Sequence, residues 1–204
     1  MRRALARAAT LALFCAVAVG CTAPAAAKPK PKPKPLQDLL NPYLGPDHAT
    51  WLEGAVARMA SPDEITGYLA LRDDAAAATF VESFWERRNP HPGSGRNSVR
   101  QLFDQRATEA DKRFSESGRS GHTTDRGAVF VLYGEPSEIR FDAGVGPREV
   151  DAEVWVYKAP VQPGIHGHPP QPEYRFARIG DVTVYIGAAK RPPPTLLQPD
   201  PPRQ

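Results

Sequence analysis

The chain has 204 residues, with 26 lysines and arginines against 23 aspartates and glutamates, which gives a formal net charge of +3. The positive excess comes from the two ends of the chain, because residues 36–189 hold 16 basic and 22 acidic residues. A folded part with this acidic balance argues against nucleic-acid binding, since phosphate backbones attract basic surfaces.

The N-terminus has the pattern of a bacterial export signal over residues 1–20. Three arginines precede an apolar run from Ala8 to Gly20, which is too short to span a bilayer and is followed by no stop-transfer pattern. The small residues directly before Cys21 resemble a bacterial lipobox. We therefore expect Cys21 to be lipidated and to become the mature N-terminus, with cleavage at a nearby alanine as the alternative. Thr22 after the cysteine favours retention in the outer membrane, facing the periplasm.

The cysteine content rules out an internal disulfide in the mature chain, although the expected destination is oxidising. The chain has two cysteines, and Cys15 lies in the predicted signal. A mature chain with Cys21 alone forms no internal disulfide, so an ordinary apolar core must hold the domain together.

Both ends of the mature chain are rich in proline. Residues 21–35 are predicted to form a tether, because KPKPKPKP favours polyproline II geometry at about 3.1 Å per residue, or roughly 25 Å for this stretch. The alternative is a basic strip that contacts anionic head groups or polymers. Residues 190–204 are predicted to be a disordered tail. Residues 36–189 remain, enough for one domain with its own core.

Helical patterns dominate the first half of this domain. Ser61, followed by proline and by Glu64, predicts a helix with a capping box. A second helix is predicted from Asp73-Asp74 to the NPHPGSG segment, and a third from Ser98 to about Phe114. A shorter helix is expected within residues 48–59. The aromatic residues of the second and third helices are expected to form the core.

Strand patterns follow after Gly121. AVFVLY, residues 128–133, is predicted as a strand buried on both faces. Residues 153–157 and 174–179 alternate as half-buried strands, and residues 182–187 complete a hairpin through Gly180-Asp181. A short edge strand is expected at 139–141. Helices followed by strands predict an α+β fold, with the N-terminal helices packed on one face of a mainly antiparallel β-sheet.

The order of motifs from residue 61 to residue 157 resembles the GWxTD-domain family of exported bacterial proteins. The shared features are Phe-Trp followed by Arg-Asn-Pro, then Asn97, a helix ending in Phe114, and the loop GHTTDRG followed by Tyr-Gly-x-Pro. The resemblance implies this fold and an exported location, and it implies no particular reaction. His122 stands where the family has tryptophan, so we expect a looser loop or a weakened ligand platform, and we assign His122 no tryptophan-like binding role.

The loop and the segment after it contain the candidate site residues. These are Gly121, Thr124, Asp125, Arg126, Gly127, Tyr133 and Gly134. Two interpretations stay open: a structural corner, since Thr, Asp and Gly suit turns, or a ligand contact on a rigid scaffold. Arg126 is expected to pair with Asp111, Glu109 or Glu135. A second polar group, Arg87 with Arg88, is expected to meet Asp125 or Glu153.

Searches for known catalytic and metal-binding patterns give no candidate. GRSG lacks the spacing of a nucleophile elbow, and there is no phosphate loop or dinucleotide fingerprint. His166 and His168 could share a metal, but zinc sites need three or four ligands. The sequence therefore predicts no catalytic residue, no metal and no cofactor.

Three functional hypotheses follow. The first is a lipid-anchored envelope protein whose domain binds a partner protein or another envelope component. The second is an envelope hydrolase or carbohydrate-handling enzyme that uses Asp125, Arg126 and Glu135, and it requires these three side chains to converge in one pocket. The third is a purely structural scaffold that differs from the first only in having no saturable ligand.

Overall fold

The computed structural model describes residues 39–144 and 150–187. The predicted signal, the tether and the Pro-rich tail lie outside the described residues. Within the described part, six α-helices precede the sheet: α1 (Pro46–Ala49), α2 (Ala55–Met59), α3 (Pro62–Leu69), α4 (Asp74–Glu86), α5 (Ser98–Phe114) and α6 (Asp125–Tyr133). A 3-10 turn, Gly121–Thr123, lies between α5 and α6.

The starts of the three longest predicted helices are confirmed by their caps. Ser61 and Glu64 form the expected capping box at α3, and the Asp73 side chain caps α4. Helix α5 begins at Ser98 as predicted, although its cap is Asn97, whose side chain accepts a hydrogen bond from the Arg100 amide. The single helix expected within residues 48–59 is instead two short helices, α1 and α2.

The prediction of a strand at residues 128–133 is wrong, because these residues belong to helix α6. The helix is buried along nearly its whole length, from Gly127 to Leu132. A short, continuously apolar run is compatible with either a buried strand or a buried helix, and the flanking residues decide between them. Thr124 caps the N-terminus, and Gly134 ends the helix at φ +78°, a conformation that glycine adopts without strain.

The sheet has four antiparallel strands in the order β1-β2-β3-β4. They are β1 (Glu138–Asp142), β2 (Ala152–Val156), β3 (Glu173–Ile179) and β4 (Val182–Tyr185). The expected hairpin between β3 and β4 is confirmed, with Ile179 opposite Val182. The α+β fold with an antiparallel sheet is therefore confirmed.

The two faces of the sheet differ in what covers them. The core face carries Trp155, Tyr174 and Phe176, which belong to the same apolar core as α5 and α6. Trp155, for example, packs on Phe114 of α5 at 5.5 Å between ring centroids. The outer face carries Val154, which is fully buried although it lies outside that core.

A lattice of ion pairs surrounds Val154 on the outer face. Its cross-strand neighbours are Arg140 and Arg175. Arg140 Nη2 lies 2.8 Å from Glu173 Oε1, and Arg175 Nη1 lies 2.5 Å from Asp142 Oδ2. Long arginine stems cover apolar surface while their charged ends remain hydrated, so Arg140 and Arg175 contribute to the burial of Val154.

Candidate functional site

Thr124 shapes the loop by capping α6. Its hydroxyl accepts a hydrogen bond from the Gly127 amide at 3.1 Å and donates one to the Gly121 carbonyl at 2.7 Å. The side chain is 1% exposed, so water cannot replace either bond. Thr124 therefore closes the loop onto the first turn of the helix that follows.

Two glycines of the loop are required by close backbone packing. A Cβ atom on Gly121 would lie 1.9 Å from the carbonyl oxygen of Ala110 in α5. A Cβ atom on Gly127 would lie 1.8 Å from the carbonyl oxygen of Gly121. Both distances are far below any van der Waals contact, so only glycine lets α5, the loop and α6 approach this closely.

Asp125 connects the loop to the sheet. Its Oδ2 accepts a hydrogen bond from the Tyr185 amide of β4 at 2.8 Å, and its Oδ1 accepts one from Arg58 of α2 at 3.0 Å. In the same way, the Glu116 carboxylate accepts a hydrogen bond from the Thr183 amide at 2.9 Å. Thr183 and Tyr185 are alternate residues of the edge strand β4, so these two carboxylates cap the outward amides of that edge.

Arg126 turns away from Asp125 and toward the sheet. Its Nη1 donates to Glu153 Oε2 at 3.1 Å, and its Nη2 lies 3.5 Å from Glu116 Oε2. The guanidinium also lies over the Phe114 ring, 5.5 Å from its centroid. Arg126 Nε is buried and has no hydrogen-bond partner among the described residues.

The expected partners of Arg126 are therefore wrong. The three carboxylates proposed from the sequence each have another partner: Asp111 binds His122, Glu109 lies near Lys112, and Glu135 binds Arg113. The actual partners come from the segment after α5 and from β2. The sequence did not predict that either segment contacts Arg126, because it contains no local signal for how the loop packs against the sheet.

A cavity of about 480 Å³ lies beside Arg126 at the end of the core face. Its walls include Phe141 of β1, Glu153 of β2, Phe176 and Thr183 from the next strands, with Arg126 between helix and sheet. Asp142, Asp151 and Arg178 line its rim. The cavity thus combines aromatic surface with charges of both signs.

Tyr133 and Gly134 lie at the opposite end of α6 and do not line this cavity. The Tyr133 ring packs against Tyr157 and Tyr174, and its hydroxyl lies 3.4 Å from His166 Nε2. The Gly134 carbonyl accepts a hydrogen bond from the Tyr157 hydroxyl at 2.9 Å. Burial raises the pKa of Tyr157 and lowers that of His166, so both remain neutral at physiological pH.

The family model for the GWxTD domain matches residues 49–166, more than half of the chain. This chain belongs to the GWxTD-domain family. No curated protein and no solved structure matches it. The resemblance inferred from the ordered motifs is thereby confirmed, and it extends beyond residues 61–157 on both sides.

His122 takes the place of the family tryptophan in this GWxTD domain. Its backbone amide and its Nδ1 both donate to Asp111 Oδ1, each at 2.8 Å. The side chain is 36% exposed. His122 therefore contacts α5 through polar bonds to one carboxylate rather than by burying an aromatic ring.

The second polar group of the GWxTD domain also differs from expectation. Arg87 and Arg88 do not reach Asp125 or Glu153, since both bind Glu64 of α3, at 2.8 and 2.7 Å. Arg88 also donates to the Met59 carbonyl and lies 3.5 Å from the Phe84 ring centroid. These arginines thus join α2, α3 and α4.

Glu116 and Glu153 are the site residues that sequence reasoning missed. Both carboxylates are largely buried, with 9% and 19% of the side chain exposed. A glutamate on the half-buried strand EVWVY was one available signal, because a charge among core residues needs a partner. Glu116, in a polar segment between helix and loop, gave no such signal.

Within residues 39–144 and 150–187, no group of three or more His, Cys, Asp or Glu side chains is arranged to hold a metal ion. In the same residues, no helix has both the length and the apolar character needed to cross a bilayer.

Proposed function

We propose that this protein is a lipid-anchored module of the bacterial cell envelope that binds a protein partner or another envelope component in the cavity beside Arg126. The observation that carries the proposal is the position of the cavity. It opens at the end of the sheet's core face, and one wall is a side chain of the family's Thr-Asp-Arg-Gly loop. The anchor at Cys21 and the tether of residues 21–35 are supported by the sequence pattern alone.

The chemistry of the cavity favours binding a partly apolar, partly charged surface. Phe141 is 80% exposed and lines the cavity together with Phe176, so this aromatic surface can desolvate a side chain of a partner. Arg178 and Asp151 supply exposed charges of both signs at the rim. Aromatic residues and arginine are the types that contribute most to protein interfaces.

The hydrolase alternative has less support. It needed Asp125, Arg126 and Glu135 in one pocket, and only Arg126 lines the cavity. Asp125 binds Arg58 and the β4 edge, while Glu135 forms an exposed pair with Arg113. The three side chains therefore occupy three different environments, and we propose binding rather than hydrolysis.

The cavity is tested by site-specific photo-crosslinking in intact cells. A photoreactive phenylalanine analogue placed at Phe141 is expected to give one defined crosslinked product with a second molecule other than this chain, identified by mass spectrometry, and the same analogue at Leu102, an exposed position on α5, is expected to give none. Arg178→Glu should abolish the product, because Arg178 lines the cavity, whereas Arg96→Glu, an exposed change elsewhere, should preserve it. The same product from Leu102, or none from Phe141, would refute binding at the cavity.

The anchor is tested separately. Cells expressing the wild-type chain and Cys21→Ser are fed an alkyne-tagged fatty acid and then fractionated. We expect the wild type to carry the label and to sediment with membranes, and Cys21→Ser to lose both. A labelled Cys21→Ser chain, or an unlabelled wild type, would contradict lipidation at this residue and leave the cavity proposal standing.

A further inference from the structure

The two edges of the sheet differ in whether their backbone groups are covered. On the β4 edge, the outward amides of Thr183 and Tyr185 donate to the carboxylates of Glu116 and Asp125. No further strand can pair with β4 at these residues while both carboxylates occupy the donors. The domain therefore has a closed edge at β4.

In the part of the chain that the structure describes, no strand pairs with the outer edge of β1. Hydrogen bonds in an antiparallel ladder alternate along each strand, and the Tyr157 amide, one residue beyond β2, donates to Pro172 on the β3 side. Ala152, Val154 and Val156 of β2 consequently face β1, where their partners are residues 142, 140 and 138. The amides and carbonyls of Ile139 and Phe141 thus point outward, and among the described residues they have no hydrogen-bond partner.

The side chains at these two outward positions are also unusually exposed. Ile139 is 43% exposed and Phe141 is 80% exposed, and both lie on the core face. Exposed apolar side chains next to unpaired backbone groups are the features by which one strand recruits another. On the closed β4 edge, by contrast, the outward residue Thr183 is buried.

The charges of β1 indicate which kind of strand can pair with this edge. On the outer face, Glu138, Arg140 and Asp142 alternate in sign along the strand. An antiparallel copy of the same strand can place Arg140 opposite an acidic residue, and a two-fold axis then makes that pair twice. The pattern is self-complementary, which points to a second copy of this chain rather than to an unrelated partner.

Only one register satisfies the backbone and the charges together. An outward residue must face an outward residue of the partner, and two-fold axes at Ile139, Arg140 and Phe141 each give at least one such pair. An axis at Arg140 opposes Arg140 to itself and Glu138 to Asp142, all like charges. An axis at Ile139 opposes Phe141 to Ser137, whose amide already donates to the Val156 carbonyl at 2.8 Å. An axis at Phe141 pairs Phe141 with Phe141 and Arg140 with Asp142.

We propose that two copies of this chain pair through their β1 strands, antiparallel and centred on Phe141, to form one eight-stranded sheet. The two-fold axis is perpendicular to the sheet, so both cavities open on the same side, next to the paired Phe141 side chains. This pairing depends on neither the lipid anchor nor a partner in the cavity. It goes beyond the proposed binding function by naming a second surface and its occupant.

Disulfide trapping tests the register with the full chain. Cys15→Ser and Cys21→Ser remove the native thiols, and the chain is kept in a mild non-ionic detergent because its N-terminus is apolar. In the proposed register the two residues at position 141 have Cα atoms about 5.5 Å apart, within disulfide range. The two residues at position 139 are about 13 Å apart, since four residues of strand separate them. We expect Phe141→Cys to form a disulfide dimer at least about ten times faster than Ile139→Cys.

Sedimentation equilibrium tests the pairing without a crosslink. The wild-type chain should dimerise with rising concentration, and Phe141→Pro should stay monomeric. Proline is tolerated at this position because its missing amide points away from β2. Equal trapping at positions 139 and 141, or faster trapping at 139, would overturn the register. A wild-type chain that remains monomeric up to about 1 mM would overturn the pairing itself.

Discussion

At the scale of single residues, the loop residues that match the family motif act mainly by satisfying or accommodating backbone groups. Thr124 caps a helix, Asp125 caps a sheet edge, and the absence of side chains at Gly121 and Gly127 lets two backbones meet. The structural interpretation of the loop thus accounts for these four residues. Arg126 is the exception, since it is paired within the domain and also forms a wall of the cavity.

Asp125 should matter more through the β4 edge than through its ion pair. Asp125→Ala leaves the Tyr185 amide without its acceptor, and we expect a loss of about 1–3 kcal/mol in the free energy of unfolding. Arg58→Met removes only a half-exposed ion pair and should cost less than about 1 kcal/mol. Urea unfolding of both variants measures the difference. Equal losses would mean that the ion pair, and not the edge cap, is what Asp125 provides.

Glu64 should give the domain a stability that depends on acid pH. The hydrogen bond from Arg88, helped by the Ser61 amide and Arg87 against the effect of burial, lowers the pKa of Glu64 from 4.5 to about 2. A lowered pKa stabilises the fold fully above pH 4.5, and this contribution disappears as the pH falls toward about 2.

The variant Glu64→Gln tests this dependence because glutamine keeps the capping-box geometry and loses the charge. We expect it to lower the unfolding free energy by about 1–3 kcal/mol at pH 7, with the difference shrinking steadily below pH 4.5. Glu82→Gln, in an exposed pair with Arg100, is the control and should change stability by less than about 1 kcal/mol at any pH. A pH-independent effect of Glu64→Gln would contradict the lowered pKa.

At the scale of elements, α6 contacts α5, strand β4 and the segment that contains Ile165. Its N-terminus contacts α5 through the loop, Asp125 at its first turn caps β4, and Leu132 near its end accepts a hydrogen bond from the Ile165 amide. Its side chains are buried from Ala128 to Leu132. A helix with this much contact cannot shift without disturbing both the other helices and the sheet.

The cap of α6 should therefore be sensitive to the loss of one hydroxyl. Thr124→Val keeps the size of the side chain but removes the acceptor for the Gly127 amide, and we expect it to destabilise the domain by about 1–3 kcal/mol. Thr124→Ser keeps the hydroxyl and should be less damaging than the valine variant by about 1 kcal/mol or more. Thermal unfolding of the two variants measures the difference in stability. A serine variant as unstable as the valine variant would show that the methyl group of Thr124, and not its cap, stabilises the domain.

At the scale of the whole molecule, the described residues have one apolar core that includes helices and the core face of the sheet. The aromatic side chains of α4 and α5 are packed in it as the sequence predicts, for instance Trp85 against Phe103 at 4.9 Å. Helices and sheet share this core, so we expect them to unfold together.

A shortened chain, residues 36–189, should consequently fold on its own. We expect a single unfolding transition with a midpoint within about 2 °C of that of the full chain, because the removed segments are predicted to add no core. Differential scanning calorimetry of both chains provides the measurement. A midpoint lowered by several degrees would show that the tether or the tail contributes to the stability of the domain.

The sequence by itself determined the family, the α+β class, and most boundaries of the elements other than α1, α2 and α6. These depend on local chemistry: Ser61 with Glu64 starts a helix, and alternating residues form the strands. The capping residues of α6 are also visible in the sequence, since Thr124 precedes the apolar run of residues 128–133 and Gly134 follows it. Periodicity alone, however, does not distinguish a short buried helix from a buried strand.

Only the tertiary structure decided which charges meet. Arg126 binds Glu116 and Glu153 instead of Asp111, Glu109 or Glu135, and Arg87 and Arg88 bind Glu64 instead of the loop. The pairing of a long, flexible side chain depends on how elements pack, and no local signal in the sequence encodes that distance. The cavity and the difference between the closed β4 edge and the open β1 edge could not be predicted from the sequence for the same reason. Both depend on how the helices and the sheet pack together.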